Sequence, residues 1–96
     1  MLTRVPGIQH YEAIRKEVIR LMQAERERRK LSRYAVAQNC GVSESMLSLL
    51  ERGLRNPTME LMLRVADGVG ADLPAMIRKA TQTVSSRSGK THSTRN

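Results

Sequence analysis

Apolar residues recur along most of the chain at spacings of three and four, the period of a helix and not of a strand. Ile14, Val18, Leu21 and Met22, followed by Glu25, mark one face of a helix over residues 11–30. Charge fills the other positions and ends in "ERERRK", and basic residues suit a helix C-terminus. Ser32 is placed to cap a second helix, Arg33–Cys40, and Gly41 to turn the chain after it. Ser43 is placed to cap a third, Glu44–Glu51, which Gly53 closes. Pro57 disfavours helix at Asn56, so "LRNP" reads as a loop. Thr58 caps a fourth helix over 59–69, with Leu61, Met62, Val65 and Val69 inward. Asp72 caps a fifth over 73–80, where Pro74 falls in the tolerant first turn. No alternating strand pattern competes with this, so the fold class is all-α.

The two ends break the pattern. Residues 1–10 hold the turn dipeptide Pro6-Gly7 and no period, and are expected to form an N-terminal arm. Residues 81–96, "TQTVSSRSGKTHSTRN", are rich in Ser and Thr with one aliphatic residue. They are expected to be a disordered basic tail. The organisation is therefore an arm (1–10), one domain (11–80) and a tail (81–96).

Charge and composition narrow the partners. The net charge is +8 over 96 residues, which points to a polyanion, most often nucleic acid. Residues 1–30 carry eight Lys/Arg against four Glu, and residues 71–96 carry five against one acid. Residues 31–70 carry four of each sign. Tyr11 and Tyr34 are the only aromatics, which argues against the stacking platforms of single-strand and RNA binders. No apolar run approaches a membrane span and no signal-peptide core follows Met1, so a cytoplasmic location is expected.

Candidate chemistry is sparse. Cys40 is the only cysteine and falls at a core position, where it reads as a small buried apolar residue. His10 and His92 lie in the loose ends, and no metal-ligand spacing connects them. No nucleophile set and no phosphate-binding glycine loop is discernible.

What stands out is the stretch between the second and third helices. Two short helices joined by a tight glycine turn bury Val36, Ala37, Cys40, Val42, Leu47 and Leu50. Ala37 is small where two helices cross, Gly41 has no side chain where the backbone turns, and Val42 fills the gap. That order of residue types is a helix-turn-helix, and an ordinary α-hairpin does not require it.

The segment "LSRYAVAQNCGVSESMLSLLERGLRNPTMELMLRVADGVGADLPAMI" resembles the Cro/CI-type (XRE) helix-turn-helix domain of phage repressors and many bacterial regulators. The resemblance covers about residues 14–78. It implies a compact, lambda-repressor-like five-helix bundle, often dimeric, that regulates transcription with no cofactor and no catalysis. By position, Ser43, Glu44, Ser45, Ser48 and Leu49 match residues that usually face base edges. Ser32, Arg33, Arg52 and Arg55 match residues that usually face phosphates, with Arg29 or Lys30 nearby. Arg26 and Glu51 match a pair that commonly ties the first helix to the third. Leu73, Met76 and Ile77 lie where such domains often dimerise, although they equally suit closing the core. Two departures are plain. Arg33 replaces a usual glutamine, and Glu44 and Leu49 stand where polar or basic residues are commoner.

The expected function is a sequence-specific transcriptional regulator, binding double-stranded DNA as a homodimer with its third helix in the major groove. The third helix carries no Arg, Lys or Gln, so the commonest guanine contact is denied to it. Base readout falls to Glu44, two serines and Leu49, and Met46 is placed either to meet a thymine methyl or to pack inward. Two alternatives remain open on the sequence. One is a protein-interaction module on a scaffold that has lost base readout. The other is an antitoxin that binds a protein partner and its own operator.

Overall fold

A computed structural model of the chain describes residues 8–89. Among them are five helices and no strand: α1 (Ile8–Arg28), α2 (Arg33–Cys40), α3 (Glu44–Glu51), α4 (Met59–Val69) and α5 (Leu73–Gly89). The fold is an all-α bundle.

Local chemistry sets the starts of four helices. Ser32 accepts from Ala35 N–H at 3.0 Å, Ser43 from Met46 N–H at 3.0 Å, and Thr58 from Leu61 N–H at 3.1 Å. Asp72 accepts from Ala75 N–H at 3.1 Å. Each satisfies one donor that a helix start leaves unpaired, and loss of such a cap costs about 1 kcal/mol. α2 stops at Gly41, whose φ of 75° lies in the left-handed region, where a side chain is strained. α1 stops because Lys30 takes φ 60° and Leu31 N–H bonds back to Arg26 O at 3.0 Å.

The core is a single cluster. Val18 and Met22 of α1 meet Val36 and Cys40 of α2, Leu47 and Leu50 of α3, Met62, Val65, Ala66 and Val69 of α4, and Leu73 and Ala80 of α5. No aromatic takes part. α2 and α4 pack closely at Gly68. A Cβ there would lie 3.0 Å from both Val36 O and the Cys40 Cβ. Asn39 Nδ2 donates to Gly68 O at 3.2 Å and ties the same crossing.

The ends depart from the sequence expectation. α1 begins at Ile8, so residues 8–10 belong to the helix and not to an arm. Residues 1–7 of that arm and 90–96 of the tail, with His92, lie outside the described residues. The larger correction is α5, which runs nine residues past the expected boundary at Ala80, to Gly89. Leu73, Ile77, Ala80 and Val84 follow one another at spacings of four, three and four. This puts them on one stripe, and Ala80 and Val84 are buried. α5 packs antiparallel to α1. Its first turns lie against Leu21 to Arg29, while Arg87 near its other end reaches back to Glu17 at 3.3 Å. The long α1 supplies a face that a Ser/Thr-rich composition hides.

Leu73 is a core residue, 4% exposed, and Met76 and Ile77 pack partly buried against the core.

Candidate nucleic-acid interface

α3 is two turns long, and its two faces divide cleanly. Leu47 and Leu50 are buried, and Met46 is half-buried beside them. At 100° per residue, Glu44, Ser48, Ser45 and Leu49 follow one another around the opposite side. Glu44 and Ser45 are exposed, while Ser48 and Leu49 are half-exposed. Four of the five residues expected to read bases therefore share one outward face. The fifth, Ser43, sits at the N-cap with its hydroxyl oxygen engaged by Met46 N–H.

The end of α3 is held from two sides by one carboxylate. Arg26 Nε donates to Glu51 Oε2 at 2.7 Å, and its Nη2 to Oε1 at 3.0 Å. The third arm of Arg26, Nη1, donates to Leu31 O at 2.8 Å. The two side chains are 9% and 6% exposed, so the fork is almost dry. A buried charge is tolerable only when paired and hydrogen-bonded, and this arginine uses all three of its arms. Arg33, the first residue of α2, adds Nε to Glu51 Oε1 at 2.8 Å. The start of α2, the end of α3 and the end of α1 are locked to one another through Glu51.

The other residues expected to face phosphates are placed as follows. Ser32 is exposed and caps α2. Arg52 and Arg55 are exposed, and neither forms an ion pair among the described residues. Arg29 is differently employed. It bonds Glu25 at 2.6 Å, and its guanidinium lies over Gly70 at the end of α4. This suits the negative end of a helix and takes Arg29 away from the α2–α3 surface. Tyr34, the second residue of α2, is 60% exposed, and Gln38 one turn on is exposed as well. Tyr34 carries a signal in the sequence, because it is out of phase with the buried Val36, Ala37 and Cys40.

Cys40 is buried with its thiol against Ala37 O. No group of His, Cys, Asp and Glu among the described residues is placed to hold a metal ion. No helix among them is long and apolar enough to cross a membrane.

Two short capped helices about a left-handed glycine, locked by a buried ion pair and packed against α1 and α4, define a helix-turn-helix domain. Residues 19–79 match the helix-turn-helix domain family, and the chain belongs to it. Its fold is similar to that of the clp gene regulator ClgR from Corynebacterium glutamicum. The two are 22% identical with a TM-score of 0.67, over 81% of this chain and 83% of that one. No curated protein sequence matches the chain.

Proposed function

We propose that the chain is a sequence-specific DNA-binding transcriptional regulator of the Cro/CI-like (XRE) kind, working in the cytoplasm as a homodimer with α3 in the major groove. The observation that carries this reading is the outward face of α3. It presents Glu44, Ser45, Ser48 and Leu49 together, on a helix whose other face is buried and whose end is locked. Arg52 and Arg55, unpaired among the described residues, flank that helix and suit phosphates. Ser32 and Arg33 open α2 beside the locked end of α3, and Tyr34 adds a hydroxyl that can donate to a phosphate oxygen. The neighbour in fold is by name a gene regulator, which agrees with this reading. No cofactor enters it.

The neutral charge of residues 31–70, and a reading face without Arg, Lys or Gln, favour a second reading as a protein-interaction module or antitoxin. One experiment separates the regulator from the interaction module. A duplex selected from a random pool is titrated with the full chain at several salt concentrations. A regulator gives a recurrent site and an affinity that falls steeply with salt. No enrichment, with a flat response to salt, overturns the DNA reading and moves the interaction module ahead.

A further inference from the structure

Among the described residues, five large apolar side chains remain more than half exposed: Tyr11, Tyr34, Leu54, Met59 and Leu63. Three of them fall within ten residues, in the α3–α4 loop and the first two turns of α4. Met59 and Leu63 are four residues apart, so they stand side by side on one face of α4. The core takes its share of α4 from Met62, Val65, Ala66 and Val69, so this stripe is surplus to the fold.

We infer that two copies of the chain meet through this stripe, with Met59 and Leu63 near the two-fold axis and Leu54 beside it. The inference rests on the homodimer reading and names the surface that reading requires. Charge selects the occupant. Two copies at +8 repel, and the surplus lies in residues 1–30 and 71–96. Residues 31–70 carry four acids and four arginines, so a meeting here adds the least repulsion. A two-fold contact must also complement itself. Glu60 and Arg64 pair with each other at 3.1 Å on the exposed face of α4, and Asp67 follows one turn on, so both signs are at hand. The rival face on α5 has lost Leu73 to the core and carries the exposed Arg78 and Lys79.

Size sets the strength. Three half-exposed side chains offer roughly 100 Å² each, against the roughly 800 Å² a partner contributes to a stable complex. The pairing is therefore weak in free protein and completes on a duplex with two half-sites, where the first copy raises the effective concentration of the second. Leu54 lies three residues beyond the end of α3, so the two reading helices end close to the axis.

Cross-linking tests this directly, because Cys40 is buried and a new surface thiol reacts alone. Full-length Leu63→Cys and Lys79→Cys are oxidised mildly, with and without the selected duplex. Leu63→Cys should give a disulfide dimer, enriched at least tenfold by the duplex, and Lys79→Cys should not. Leu63→Glu, whose unchanged melting temperature certifies the fold, should bind one half-site as the parent does and lose cooperative binding to two. Cross-linking by Lys79→Cys alone overturns the surface and leaves the homodimer standing. Equal cross-linking by both also overturns it, as random collision. If neither cross-links and the parent sediments as a monomer on the two-site duplex, the homodimer reading falls with it.

Discussion

Arg33 Nε lies 2.8 Å from Glu51 Oε1, on the carboxylate that Arg26 already grips at 2.7 and 3.0 Å. Two arginines share one negative charge, so the cluster keeps a net positive charge. Arg26 is buried, which leaves that charge with Arg33, 40% exposed at the start of α2. Glu51 thus holds Arg33 through its Nε and leaves the two terminal nitrogens without a protein partner among the described residues.

Arg33→Ala is therefore expected to weaken binding to all duplex sequences alike and to reduce the salt slope by about 1. Arg33→Lys separates aim from charge. A lysine ammonium is a point donor and cannot hold Glu51 and a phosphate with separate arms. It should restore the salt slope but only part of the affinity, whereas Arg52→Lys and Arg55→Lys should restore both. Complete rescue by Arg33→Lys would reduce Arg33 to a surface charge. The readout is affinity at four or more salt concentrations, with melting temperature as the folding control.

The same cluster makes a stability claim. Removing Glu51 leaves Arg26 buried without its carboxylate, and breaking one side of a buried pair costs on the order of 3–5 kcal/mol. Glu51→Ala should lower the melting temperature clearly more than Glu44→Ala, which takes away an exposed acid in the first turn of the same helix. Equal shifts in thermal denaturation would mean that the fork is weak despite its burial.

A second buried carboxylate predicts the acid limb of stability. Hydrogen bonds from Arg20 hold Glu17 below its ordinary 4.5; burial opposes this, and Arg87 adds to the lowering. Glu25 is drawn down to about 2 by Arg28 and then Arg29. A carboxylate with a lower pKa in the folded chain contributes stability above its unfolded value, and loses it as pH falls through the folded one. Stability should therefore be level above about pH 5 and decline from about pH 4.5 towards pH 2. Glu17→Gln should flatten part of that decline and speed amide exchange near Arg87, since Glu17 anchors that end of α5. An unchanged pH profile and unchanged exchange would leave the anchor without effect.

These relationships mark where sequence reading stops. The caps Ser32, Ser43, Thr58 and Asp72 act on donors three residues away, so the starts of α2 to α5 are legible locally. The outward face of α3 is legible for the same reason, since periodicity alone puts Glu44, Ser45, Ser48 and Leu49 together. The end of α5 is not. Val84 reads as a lone aliphatic residue in a polar tail until α1 covers it, and Glu17 meets Arg87 across 70 residues of chain. Gly68 reads as a weak helix position, because only the assembled crossing with Val36 and Cys40 shows what a methyl would strike. A charged residue also reads the same whether paired or free. Arg33 and Arg29 therefore both suit phosphates on paper, and only the fold ties one to Glu51 and lays the other over Gly70.

On the proposed reading, the bases that α3 would meet follow from the side chains it presents. A carboxylate in the major groove is repelled by phosphates and best tolerated where cytosine offers its N4 amino group as donor. The two serines can donate or accept, so each discriminates weakly. Leu49 is half-exposed and gains only from an apolar partner, which in DNA is the thymine methyl. The half-site is therefore expected to place a cytosine opposite Glu44 and a thymine opposite Leu49. Glu44→Ala should relax the cytosine preference and raise affinity for unrelated duplexes, because one negative charge leaves the groove. Leu49→Ala should cost about 1 kcal/mol or less on thymine sites, the scale of a few buried methyl contacts. Met46 is half-buried beside Leu47 and Leu50, so Met46→Ala should move stability and leave the site preference alone. Selection from a random duplex pool, repeated with each variant, measures all three. If Glu44→Ala and Leu49→Ala both return the parent's site, α3 is not the reader, and the weight shifts to a scaffold that binds protein.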